Sequence, residues 1–470
     1  MNELLGRTLI EITESLRART LSPVELMRAV LQRIEETHAD LNAVVAMRDR
    51  DALLRDARAA EERIARGEAR PLEGVPLGVK DLEDAEGLVT SHGSLPFRNQ
   101  VAQRDCTQVE RLRAAGAIVV GKTNAPEFGY TAITKNLVYG VTRSPWNLQH
   151  SPGGSSGGSA AAMAANVLPL VTASDGGGSI RIPASFTGTF GLKTSFGRIP
   201  RGPFSHWDYG DTAVAGPLTK TVEDAALFLD QVVGASPHDP NSLPHPGLSY
   251  LGAVRSPLPH KLRIAYSPDL GYAVVQSDIA AAVEANVKVF EQLGHFVEQI
   301  HGGPPQLGRD WAILGAFELA SQLYPLLPEH EAKFGRGFIT GIKYGWQMTP
   351  ELWGKAAQLR AQLNQWCAEI FDRFDLLVTP TVPHDPPPAG GPFPSETEGR
   401  PQILAGVASF TIPFNLSWHP AATVRVGLSR QKLPMGMQIV GPRHHDDLVL
   451  QAARAFERER PWHPQWPTTW

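Results

Sequence analysis

Apolar positions recur every three to four residues between residues 8 and 68, which predicts a mainly helical N-terminal scaffold. Within it, Ser22-Pro23-Val24-Glu25 has the form of a capping box with proline at the first helical position. A serine oxygen there takes a first-turn N–H, and proline has no N–H to leave unbonded. That start predicts an amphipathic helix running to about Thr37. From residue 72 to residue 240 the rhythm changes. Short apolar runs such as Ala117-Ile118-Val119-Val120 and Leu168-Pro169-Leu170-Val171-Thr172 alternate with helical segments over residues 107–115 and 158–166. Strands alternating with helices predict an α/β sheet covered on both faces.

Residues 235–260, rich in Pro, Ser and His, predict an exposed crossing between halves of the fold rather than a domain boundary. Residues 307–374 read as helices, and residues 376–378, 423–426 and 437–440 read as strands returning to the same sheet. The chain is therefore expected to form one domain over residues 1–470: a helical scaffold to residue 70, a core at 72–240, a helical region at 307–374 and a return from 375. Residues 383–394, with three consecutive prolines and Gly390-Gly391, predict a loop beside a pocket mouth. No internal repeat interrupts this plan.

Composition narrows the class. With 42% hydrophobic and 20% charged residues the chain is an ordinary globular protein. Its 44 basic and 48 acidic residues include no dense basic block, which argues against a nucleic-acid partner. Cys106 and Cys367 stand alone, so neither a disulfide framework nor a zinc site is expected. The absence of a leader pattern and of an 18-residue apolar run leads to the expectation of a cytoplasmic protein with no membrane partner.

The chemistry lies in two glycine-serine runs, Gly153-Gly154-Ser155-Ser156-Gly157-Gly158-Ser159 and Ser174-Asp175-Gly176-Gly177-Gly178-Ser179-Ile180-Arg181. Glycine lets the backbone bring consecutive N–H groups to a reacting carbonyl oxygen, and serine supplies a nucleophile. A base is still required. Lys80 ends the apolar run Val75-Pro76-Leu77-Gly78-Val79, where burial would keep its amine partly neutral. Alone, the first run reads as a flexible loop and Lys80 as a solvated lysine. Their combination, with the first run leading into a helix, carries the inference. His150 and His206 lie near the motifs as competing bases. Gly116-Ala117-Ile118-Val119-Val120-Gly121-Lys122-Thr123 has the spacing of a phosphate loop, but its middle is β-forming and Asn124-Ala125-Pro126 stops a helix at once. His444-His445-Asp446-Asp447 reads as an exposed helix start capped by aspartate, not as a metal site.

These motifs, together with Gly121-Lys122-Thr123-Asn124-Ala125-Pro126-Glu127-Phe128, Gly191-Leu192-Lys193, Gly216-Pro217-Leu218-Thr219, Asp375-Leu376-Leu377-Val378-Thr379-Pro380 and Pro434-Met435-Gly436-Met437-Gln438, resemble the amidase signature family from Lys80 almost to the C-terminus. The resemblance implies a large twisted mixed β-sheet covered by helices on both faces, around a single core. It also implies a metal- and cofactor-independent hydrolase in which Lys80 takes a proton from Ser155, Ser155 takes one from Ser179, and Ser179 attacks the carbonyl carbon. The N–H groups of Gly176, Gly177, Gly178 and Ser179 would hold the oxyanion. A cis peptide is implied at Gly154–Ser155, and Asp175 and Arg181 are implied to support the loop as an ion pair. Asn124 and Glu127 are read as a hydrogen-bonded turn beneath the site.

The family covers amides, anilides, ureas, carbamates and cyclic amides, and the motifs do not choose among them. Phe204, Trp207 and Tyr209, with Trp146 and Trp418, are candidates for an aromatic substrate pocket. Trp418 stands where the family commonly has glycine, which makes transfer of any familiar substrate unsafe. The expected protein is a stand-alone amidase acting on a small amide or carbamate, as a monomer or homodimer. Two alternatives remain: a glutamine-hydrolysing subunit of a transfer-RNA amidotransferase, from which the Arg181-Ile182-Pro183 ending leans away, and a catalytically silent scaffold of the same fold.

Overall fold

The computed structural model describes residues 3–203, 210–462 and 466–467. Eleven strands form its main sheet: β1 (Val44–Met47), β2 (Pro76–Lys80), β3 (Ile118–Thr123), β4 (Leu170–Asp175), β5 (Phe190–Lys193), β6 (Val214–Thr219), β7 (Arg263–Tyr266), β8 (Phe296–Gln299), β9 (Leu376–Pro380), β10 (Ala421–Leu428) and β11 (Pro434–Val440). Their order across the sheet is β1-β3-β2-β4-β6-β5-β10-β11-β9-β7-β8. β2 runs parallel to β3 and β4, the central strands from β4 through β6, β5, β10 and β11 to β9 pair antiparallel, and β9, β7 and β8 are parallel again. Every residue of β2, β3, β4, β5, β6, β9 and β11 is buried, apart from half-buried Ser174 in β4. That is the burial expected of strands covered on both faces.

The N-terminal helices Leu9–Arg17, Pro23–Leu41 and Arg50–Ala65 form as their spacing predicts. Ser22 Oγ accepts from the N–H of Val24 at 3.0 Å and of Glu25 at 3.4 Å. Ser22 then donates its own hydroxyl to Glu61 at 2.5 Å, and the helix runs past Thr37 until Asn42 leaves it at φ 50°. The stretch expected to be helical is broken by β1, whose Val44-Val45-Ala46-Met47 pairs antiparallel with β3. A β-branched pair beside an open sheet edge outweighs the helical neighbourhood. Residues 263–299 add a second unanticipated unit, β7, helix Ser277–Gln292 and β8.

What positions the site is the parallel pairing of β2 with β4, in which Leu77 faces Leu170 and Gly78 faces Val171. Both strands end at the same edge, and the Lys80 N–H donates to Thr172 Oγ1 at 2.9 Å. Between the two strands runs helix Gly157–Ala164, made of glycine, alanine, serine and methionine and buried throughout. A helix apolar all round belongs inside a fold. The phosphate-loop look-alike is strand β3, and the Lys122 ammonium donates to Glu83 O and to Thr90 Oγ1. Among the described residues, no helix is long and apolar enough to cross a membrane.

Candidate active site

Lys80 and Ser155 meet at the shared end of β2 and β4. Lys80 is fully buried, and its Nζ lies 2.9 Å from Ser155 Oγ, 3.0 Å from Ser174 Oγ and 3.2 Å from Ser174 O. Burial lowers its pKa from 10.5 to about 8, against the opposing pull of Glu83 and Asp175. A neutral amine has two N–H donors and one lone pair. Spending the donors on Ser174 O and Oγ leaves the lone pair facing the Ser155 hydroxyl. The Gly154–Ser155 peptide is cis, as the resemblance implies.

Ser179 ends the glycine loop that leaves β4. The loop is anchored from below by Asp175 and Arg181, both completely buried and joined by bonds of 2.9 Å and 3.0 Å. Burial alone would push the Asp175 carboxyl up, but the Arg181 charge and hydrogen bonds outweigh it and hold the group well below the usual carboxylate range. Arg181 also donates to Thr411 O, Gln438 Oε1 and Asn415 Oδ1, and Asn415 donates back to Asp175. Three chain segments, 175–181, 411–415 and the strand carrying Gln438, thus converge on one ion pair under the loop.

This anchoring corrects the expected oxyanion donors. The Gly178 N–H donates to Asp175 Oδ1 at 2.7 Å and is already used. Among the described residues, the N–H groups of Gly176, Gly177 and Ser179 have no protein partner. Those three N–H groups are the ones the loop leaves unspent.

The loop borders a cavity of about 670 Å³ that also reaches Ser155 and Ser174. Its wall is largely apolar, with Leu82, Phe128, Tyr130, Ile182, Trp311 and Phe393 among its members. Of the expected pocket residues, Phe204, Trp207 and Tyr209 lie outside the described residues, as does His206. Trp146 and Trp418 are corrected: neither borders the cavity. Trp146 donates to Thr187 O at 2.7 Å and lies under Arg425. Trp418 is 37% exposed, stacks on Phe196 at 4.8 Å between ring centres, and donates to Asp211 O. Its φ of 67° explains the family's glycine at this place, since positive φ strains any residue with a Cβ.

Sequence comparison matches the Amidase family over residues 25–450. The chain is 36% identical to an acylamidase of Rhodococcus erythropolis, covering 96% of this chain and 95% of that one. It is 33% identical to a glutamyl-tRNA(Gln) amidotransferase subunit of Trichlorobacter lovleyi over 98% and 99% of the two. Among solved structures, a bacterial aryl acylamidase superposes with a TM-score of 0.92 at 31% identity, covering 99% of each chain. The chain belongs to the amidase family. It is an amide-hydrolysing enzyme with the family's mixed sheet.

In this amidase, several cavity residues have no local sequence signature. His92 stacks on Phe128, with ring centres 5.4 Å apart and planes 3° apart, and burial beside Lys122 pushes its pKa down to about 3. The Glu83 side chain accepts from Gln108 at 3.0 Å and borders the cavity near Lys80, its pKa raised by burial. His384 also borders the cavity, and its Nδ1 lies 2.8 Å from Asp385 O. His150 does not border it. Asn124 and Glu127 form the expected bonded turn: Asn124 pairs with Asn136 and Thr142, and Glu127 accepts from Ser94 and from the Gly335 N–H. Asp446 is not an exposed cap. It is buried and accepts from Ser195 N and Arg198 Nε.

Proposed function

We propose that the protein is a stand-alone serine amidohydrolase that cleaves the C–N bond of an aryl amide through an acyl-enzyme on Ser179. The observation that carries this reading is the buried Lys80 amine, 2.9 Å from the Oγ of Ser155, a residue that borders the same cavity as Ser179. Neutral Lys80 takes the Ser155 proton as Ser155 takes that of Ser179, and Ser179 Oγ bonds to the carbonyl carbon. The negative charge on the carbonyl oxygen falls to the N–H groups of Gly176, Gly177 and Ser179. When the C–N bond breaks, the proton held by the relay passes to the leaving nitrogen and the amine departs. Water then attacks the ester by the same relay, and the carboxylic acid leaves. A carbamate offers the same carbonyl and is the second substrate class for this site.

The aryl preference is supported by the apolar wall around Phe128, Tyr130 and Trp311 and by similarity to proteins described as an acylamidase and an aryl acylamidase. The test is turnover of an anilide, a primary amide, an aryl carbamate, an ester and glutamine by wild type and Ser179→Ala. Serine-dependent cleavage of the anilide is expected. Activity on glutamine alone, appearing only with a partner chain, would replace this reading with that of an amidotransferase component.

A further inference from the structure

We infer that Trp311 is a positioning residue for the oxyanion loop, acting through the Gly176–Gly177 peptide; the inference rests on Ser179 being the nucleophile. Trp311 belongs to helix Gly308–Leu323, which no catalytic motif reaches. Its indole Nε1–H donates to Gly176 O at 2.8 Å. In a trans peptide the C=O and N–H point in opposite directions. Holding the Gly176 carbonyl therefore fixes the direction of the Gly177 N–H, one of the three donors without a protein partner.

The next peptide is held in the same manner from another side. Thr411 Oγ1 donates to Gly177 O at 2.7 Å, while the Gly178 N–H behind it goes to Asp175. Two successive peptide planes are thus set by side chains from distant parts of the chain, Trp311 and Thr411. The indole also lies flat enough against Gly177 that a Cβ there would sit 2.9 Å from both Cε2 and Cη2. Real Cβ atoms do not approach so closely, so the tryptophan at 311 requires glycine at 177. Without the indole N–H, the Gly176 carbonyl loses its only described partner outside the loop. The peptide is then free to rotate, and a donor that must stand ready before charge develops would have to be oriented during the reaction.

Because the same ring borders the cavity, a loss of activity on replacing Trp311 has two possible origins, pocket shape and donor orientation, and the test separates them. The full-length protein is prepared with Trp311→Phe and, separately, with benzothienylalanine at position 311, which keeps the bicyclic shape and lacks the N–H. The readouts are kcat and KM for an anilide, inhibition by a trifluoromethyl ketone that adds to serine as a tetrahedral oxyanion, and binding of the intact anilide to a Ser179→Ala background. Removing an oxyanion donor lowers kcat by about 100-fold or more, so disordering one predicts a loss of about 10- to 100-fold in kcat in both proteins. KM and anilide binding stay within about twofold, and ketone affinity falls in step with kcat, because only the oxyanion state uses the donor. Unchanged kcat in the benzothienylalanine protein, or a loss confined to KM, would overturn the inference. Wild-type turnover that survives Ser179→Ala would instead overturn the nucleophile assignment beneath it, and is distinguishable on that ground.

Discussion

Raising the pH through the titration of Lys80 is predicted to raise kcat/KM, because only the neutral amine can take the Ser155 proton. Burial brings this pKa from 10.5 to about 8. Near pH 7 that leaves about one-tenth of the lysine neutral, against about 0.03% for a solvated lysine, a gain of about 300-fold or about 3 kcal/mol. The profile is expected to rise about tenfold per pH unit below a midpoint near 8 and to level above it. An anilide is the right substrate, since it does not ionise in this range, and release of the arylamine is followed by absorbance. Glu83 and Asp175 raise the Lys80 pKa, so Glu83→Gln should move the midpoint towards acid. A midpoint near about 6.5, the value of an ordinary histidine, would refute the reasoning and point to another base. So would a flat profile, or a Glu83→Gln shift towards alkali.

Lys80→Met should abolish turnover yet raise the melting temperature at neutral pH. A folded-state pKa depressed from 10.5 to about 8 means that below pH 8 folding carries the burden of a buried ammonium; that burden is relieved as pH rises towards 10.5, and the advantage of Lys80→Met seen by calorimetry should shrink over the same window. Asp175→Asn leaves Arg181 as a buried, uncompensated charge, and denaturant unfolding should show a loss of about 3–5 kcal/mol. Gly177→Ala should depress kcat on every amide alike, because its Cβ meets the indole of Trp311 rather than substrate. Trp418→Gly should leave kcat/KM for the anilide within about twofold, its side chain lying off the cavity on Phe196.

Much of this site was legible in the sequence because its chemistry is carried by short contiguous runs. Ser155 lies in the run Gly153 to Ser159, Ser179 lies with Asp175 and Arg181 in the run Ser174 to Arg181, and Lys80 ends a strand whose apolar run foretells its burial. The runs do not reveal which N–H groups are spent. Gly178 reads the same as its neighbours until Asp175 is seen to accept from it. The cavity wall was far less legible. Trp146 and Trp418 are aromatic residues near motifs in sequence that face other partners in space. Phe128 with Tyr130, Trp311, and His384 come from three separate segments that only tertiary packing brings together. Among fold elements, β1 was hidden because its four residues lie between two long helical runs, whose period masks it.

The central claim, that hydrolysis passes through an ester on Ser179, is tested most directly by rapid acid quench of the wild-type protein during anilide turnover, followed by peptide mass spectrometry. The account predicts one acyl group on the peptide containing Ser179, formed at the rate of the arylamine burst and absent in Ser179→Ala. An acyl group on any other residue, or full turnover by Ser179→Ala, would contradict it.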